Sequence, residues 1–186
     1  MKKRLKINIA NDAVFFVAIL IVFANVDLIL PLVIASCVHE AGHIIAILTL
    51  GGEVTAITVN IGGLKISYSA KVLSYKYDLI YAAAGPLFGL IFSYVASRFG
   101  FTVFAGISLC INAFNLIPVR PLDGGKILFN VLTLVLPYDP KAVVVSIEII
   151  CIAALYCGSI YFFMVTKSCA LVLISCVLTF YYCKER

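Results

Sequence analysis

Apolar residues fall along this chain in long blocks, with one short stretch of strict alternation among them, and the two patterns predict different structures. From Ala13 to Leu50 the apolar run is interrupted by acidic residues only at Asp27 and Glu40. Roughly 20 helical residues cross about 30 Å of hydrocarbon, so this block is too long for one span. Asn25-Val26-Asp27 is the natural turn, predicting a short first helix at residues 10 to 26 and a second at 28 to 50. Further spans are expected at 78 to 98, 101 to 117, 141 to 164 and 168 to 183, with Arg98-Phe99-Gly100 and Thr166-Lys167 as tight connections. Between the second and third spans, Ile57 to Ile61 alternates, Gly62-Gly63 supplies a two-residue turn, and Leu64 to Ser69 alternates again. That pattern predicts a β-hairpin over about 54 to 69. The expected fold is an all-α polytopic membrane protein of about six transmembrane helices carrying this small hairpin.

Composition agrees with the pattern. Of 186 residues, 63% are hydrophobic and 12% charged, too little polar surface to cover a soluble globule. Mean hydropathy is +1.13, and the solvent implied is lipid. A cleaved signal peptide is the alternative for the first span, but no small-residue cleavage site follows it, so it is expected to be retained. Twelve of the fourteen Lys and Arg lie in residues 2 to 6, 65 to 76, 120 to 141 and 184 to 186, leaving Arg98 and Lys167 outside. The positive-inside rule then places both termini in the cytoplasm and explains the net charge of +5 without a nucleic-acid partner.

Chemistry enters at His39-Glu40-Ala41-Gly42-His43, which contains both histidines of the chain. Imidazoles four residues apart project from one helical face and suit adjacent corners of a tetrahedral zinc ion. Glu40, beside the first, can reach the metal's water without ligating the metal, as a general base must. The bland reading, core histidines beside a structural glutamate, has to explain three ionisable groups submerged in an apolar helix. A third ligand is needed, and a carboxylate is the usual choice. Asp12, Asp27, Glu53, Asp78, Asp139 and Glu185 fall near expected ends or in loops. Asp123 instead follows Pro118 and Pro121 and precedes Gly124-Gly125, irregular backbone that survives at membrane depth when protein or a water-filled cavity surrounds it. Its competing role is a cap on a short helix starting near Lys126.

Together, His39-Glu40-Ala41-Gly42-His43 and the segment Asn115-Leu116-Ile117-Pro118-Val119-Arg120-Pro121-Leu122-Asp123-Gly124-Gly125 resemble the site-2 protease family of intramembrane zinc proteases. The resemblance covers residues 28 to 125, and the layout is similar to a compact branch that includes a sporulation protease processing a sigma-factor precursor. It implies one catalytic Zn2+ held by His39, His43 and Asp123, Glu40 as base, and Asn115 and Pro121 as substrate-binding residues. The organisation expected from the apolar runs is a single membrane-embedded protease domain over residues 1 to 186, with accessory spans at 10 to 26, 141 to 164 and 168 to 183. The expected location is a bacterial cytoplasmic membrane, and the substrate a membrane or membrane-associated protein such as a signalling or transcription-factor precursor. Regulation is expected from a separate protein. One departure stands out: where many members carry an asparagine four residues after the glycine of Gly85-Pro86, this chain has Gly89.

Two other classes of function compete. A metal transporter would spread ligands along a path through several helices, and here Glu148 alone lies in a span outside the cluster. A catalytically inactive homologue that binds membrane proteins would have little reason to keep Glu40. Glu148 itself reads either as functional or as a protonated or snorkelling carboxylate. The hairpin reads either as a docking edge for an extended substrate or as a plain hairpin at the headgroups. The seven cysteines contain no Cys-x-x-Cys pair and predict no disulfide. Tyrosines 75, 77, 81, 181 and 182 are expected at the membrane interface.

Overall fold

A computed structural model describes residues 6–9, 26–60, 63–69, 74–167 and 169–185. Six helices and three strands occur among them: β1 Lys6–Ile9, α1 Val26–Thr49, β2 Glu53–Asn60, β3 Gly63–Ser69, α2 Tyr75–Arg98, α3 Thr102–Asn115, α4 Asp123–Val135, α5 Lys141–Thr166 and α6 Ala170–Glu185. The chain divides into two compact units, Met1–Phe114 and Asn115–Arg186. The span expected at residues 10 to 26 lies almost wholly outside the described residues.

In the first unit α1 and α2 each have 24 residues, about 36 Å at 1.5 Å per residue, and both are apolar enough to cross a membrane. Ser74 caps α2, its hydroxyl accepting from the Lys76 N–H, and the helix stops where Gly100 takes a positive φ of 83°. Small residues let these helices close on each other. A Cβ at Gly42 would strike the Ala84 carbonyl oxygen and Phe88, so α1 approaches α2 at backbone contact there. Hydroxyls join α2 to α3: Ser93 donates to the Ala105 carbonyl at 2.6 Å and Ser108 to the Gly89 carbonyl at 3.0 Å. In lipid such bonds add the specificity that apolar burial does not supply.

The hairpin forms as an antiparallel β2–β3 pair, with Ile57 opposite Ile66 and an irregularity between Val54 and Ala56. Gly63 does not belong to the turn as expected; it pairs with Asn60 inside the ladder. A further strand was not anticipated. β1 adds in parallel to β2, Ile7 opposite Ile57, making a sheet of order β1-β2-β3.

In the second unit α5, 26 residues long, is the third helix able to cross a membrane by length and composition. It turns into α6 through Lys167, which adopts a left-handed φ of 58°. Ser159 and Ser175 share a 2.8 Å hydrogen bond between α5 and α6. α3 and the apolar part of α6, Leu171–Lys184, are shorter than a full span. The fourth expected span was to reach residue 117, but α3 ends at Asn115, ahead of Pro118, whose ring cannot continue a helix. α4 begins at Asp123, earlier than the onset expected near Lys126.

Two tyrosines assigned to the interface are buried within protein instead: Tyr81 is 4% exposed and Tyr182 6%. The Tyr81 ring packs edge-on against Tyr68, centroids 5.1 Å apart, which removes it from any aromatic belt.

Candidate active site

His39 and His43 sit one turn apart on α1. His39 is buried, and its Nδ1 lies 2.8 Å from Oδ1 of Asn112 on α3. The Asn112 amide is itself held: its Nδ2 donates to the Ser108 carbonyl at 2.6 Å and approaches the Ser108 hydroxyl at 3.3 Å, so its oxygen is the atom that faces the imidazole. His43 is oriented from the other side, its Nδ1 donating to the Tyr81 carbonyl on α2 at 2.7 Å. A carbonyl accepts only, so each neutral ring carries its proton on Nδ1 and a lone pair on Nε2.

These lone pairs converge. The two Nε2 atoms are 3.1 Å apart, with the rings nearly perpendicular at 81°. Two acceptors cannot hydrogen-bond each other, and close approach of like partial charges in an apolar helix is unfavourable unless a cation joins them. Two zinc–nitrogen bonds of about 2.0–2.1 Å at a tetrahedral angle place the nitrogens about 3.3 Å apart, close to the separation found. The donor set and its second-layer hydrogen bonds therefore fit a zinc ion.

Glycines make this orientation possible. A Cβ at Gly85 would fall on the His43 imidazole, and a Cβ at Gly89 on the Asn112 amide. Gly89, which stood out as a departure, is thus the position that admits Asn112. Asn112 was not singled out from sequence. The available signal was an amide in an otherwise apolar helix, one turn after Ser108. Glu40 follows His39 on α1 and is half-buried.

Asp123 belongs to the second unit, where it is 4% exposed in the first turn of α4. Leu122 occupies the cap position, so Asp123 does not serve as the cap that competed with its ligand role. Its Oδ1 accepts from Lys126 Nζ at 2.8 Å. Asn115, the last residue of α3, and Pro121 are half-buried. Glu148 does not snorkel: it is 0% exposed and ion-paired with Arg120 at 2.8 Å.

A solved structure described as "Site-2 Protease from Methanocaldococcus jannaschii" matches with a TM-score of 0.70 and 20% identity, over 100% of this chain and 92% of that one. The fold is that of a site-2 protease. Residues 97–155 match the model of peptidase family M50, a segment that holds Asn115, Pro121, Asp123 and Glu148 and lies beyond His39, Glu40 and His43. No curated protein matches the chain by sequence. The site-2 protease fold, the M50 match and the long apolar helices support an integral membrane metallopeptidase.

Proposed function

We propose that this protein is an intramembrane zinc metalloendopeptidase that hydrolyses a peptide bond in or beside a membrane segment of another protein. The observation that carries the reading is the pair of Nε2 atoms 3.1 Å apart on a membrane-length helix, with Glu40 alongside. The zinc ligands are His39, His43 and Asp123, two imidazoles and a carboxylate being a donor set that suits a catalytic zinc with one position open. When bound, zinc would lower the pKa of water toward about 7 and polarise the scissile carbonyl.

The chain's own residues account for the rest. Glu40 accepts the proton of the attacking water and delivers it to the leaving amine. Asn112 and the Tyr81 carbonyl keep both imidazoles in the tautomer that presents Nε2. Asn115 donates its amide either to the developing oxyanion or to the substrate backbone, and Pro121 borders the same segment. A helical substrate hides its scissile carbonyl in its own hydrogen bonds, and among the described residues β3 ends the sheet order, an edge where an extended segment can add as a strand. The whole chain acts as one protease domain in a bacterial cytoplasmic membrane, both termini cytoplasmic, under the control of a partner protein. Glu148 offers no ion path of the kind a transporter needs, because Arg120 neutralises it.

The test compares membrane-protein fragments from cells expressing wild type or Glu40→Gln. Loss of the general base should slow hydrolysis by about 10²–10⁴-fold, so an uncut membrane protein accumulates on the variant and co-purifies with it. Identical fragment patterns in the two strains would refute the protease reading.

A further inference from the structure

Glu148 lies inside α5 with no exposed surface, and three donors of a single residue reach its carboxylate. The Arg120 backbone N–H donates to Oε1 at 3.1 Å, Nε donates to the same oxygen at 2.8 Å, and Nη2 donates to Oε2 at 3.0 Å. The ion pair therefore fixes both the side chain and the main chain of Arg120. A forked guanidinium meeting a carboxylate with two oxygens is directional in a way apolar packing is not.

Arg120 lies in the irregular stretch between α3 and α4, whose local bonds are short turns: Val119 N–H to the Ile117 carbonyl at 2.7 Å and Leu122 N–H to the Val119 carbonyl at 2.9 Å. The start of α4 is seated directly on this stretch. A Cβ at Gly124 would strike the Leu116 and Ile117 carbonyls, and one at Gly125 the Arg120 nitrogen. Asp123 thus rides on backbone that Glu148 anchors from 28 residues away. Stability is a poor reason to keep such a pair, since apolar residues of similar volume in its place are often neutral or stabilising. What they cannot reproduce is the fixed direction.

We propose that Arg120 and Glu148 form a clamp that positions Asp123 to bind the metal, making Glu148 a positioning residue that touches neither metal nor substrate. The proposal rests on Asp123 being the third ligand. Its test uses the purified full chain in detergent, Zn2+ alone as the probe in competition with a chelator, and a thermal melt of each sample. Glu148→Gln, which keeps the shape and an acceptor oxygen, and Arg120→Lys, which keeps the charge but loses the fork, should each weaken zinc binding about 10–100-fold while melting cooperatively. Asp123→Ala should weaken it further. Ser159→Ala, which removes a hydroxyl bridging α5 and α6, should leave zinc affinity unchanged. Unchanged affinity in Asp123→Ala overturns the ligand assignment and the clamp with it. Weakened binding in Asp123→Ala beside wild-type binding in folded Glu148→Gln and Arg120→Lys overturns the clamp alone. An equal loss in Ser159→Ala, or failure of both clamp variants to fold, shows a merely structural pair and also overturns it.

Discussion

The two parts of the proposed metal site are held by opposite means. On α1 the imidazoles are oriented by neutral acceptors, the Asn112 amide oxygen and the Tyr81 carbonyl, within regular helices that glycines allow to close. Around Asp123 the backbone is irregular and the fastening is charged, through Arg120 with Glu148 and Lys126 with Asp123. Regular helix satisfies its own backbone in lipid, so a neutral hydrogen bond suffices to aim a ring. A broken segment has backbone groups to satisfy and no periodic scaffold, and here an ion pair between a half-exposed Arg120 and a buried Glu148 takes that task. Precision in the first region comes from shape and in the second from electrostatics.

This contrast can be broken at several levels, and the largest effect is expected at the imidazoles themselves. His39→Ala should abolish zinc binding, read as metal per chain by elemental analysis, while the helices still assemble through the α1–α2 approach at Gly42. Next in size, Asn112→Leu should weaken zinc binding about 10–100-fold, with Asn112→Asp restoring part of it through the retained acceptor oxygen. Equal affinity in all three proteins would show that the amide does not aim the ring. A smaller effect separates shape from propensity: Gly85→Ala should destabilise by about 1–3 kcal/mol, because the added methyl meets the His43 ring. Gly106→Ala, where nothing lies within 4 Å, should be neutral or stabilising by about 0.5–1 kcal/mol. Melting temperatures in one detergent decide between them.

The smallest expected effect lies outside the membrane. Tyr68 donates its hydroxyl to Asp78 Oδ1 at 2.8 Å, and burial first, then this bond to a carboxylate, push its pKa well above the usual value of 10.0. The folded state therefore prefers the protonated phenol. Its contribution to stability is fully present below pH 10.0 and fades as pH rises from there toward the folded pKa. Wild type should lose melting temperature more steeply than Tyr68→Phe in that window. Parallel curves would remove the Tyr68–Asp78 bond as a stabilising contact.

The elements most legible beforehand were those with a local signature. The second and third spans and the fifth fall within a few residues of α1, α2 and α5, because an uninterrupted apolar run has one satisfactory backbone in lipid. The hairpin was legible through alternation, but Gly63, expected in its turn, pairs with Asn60 in the ladder, since a Gly-Gly dipeptide does not by itself decide which residues pair. β1 was not legible at all: four residues beside a cationic terminus carry too little pattern to announce a partner about 50 positions away. Tyr81 misled because an amphipathic ring suits an interface and a helix contact equally.

By itself, the sequence determined that this chain is a membrane protein with two imidazoles on one helical face and a carboxylate beside them, because hydropathy and helical periodicity act over a few residues. Tertiary structure alone decided that Asn112 aims His39 across 73 positions and that Arg120 engages Glu148 across 28. Such pairings depend on how helices pack and on which glycines let them approach, and no short-range pattern records either.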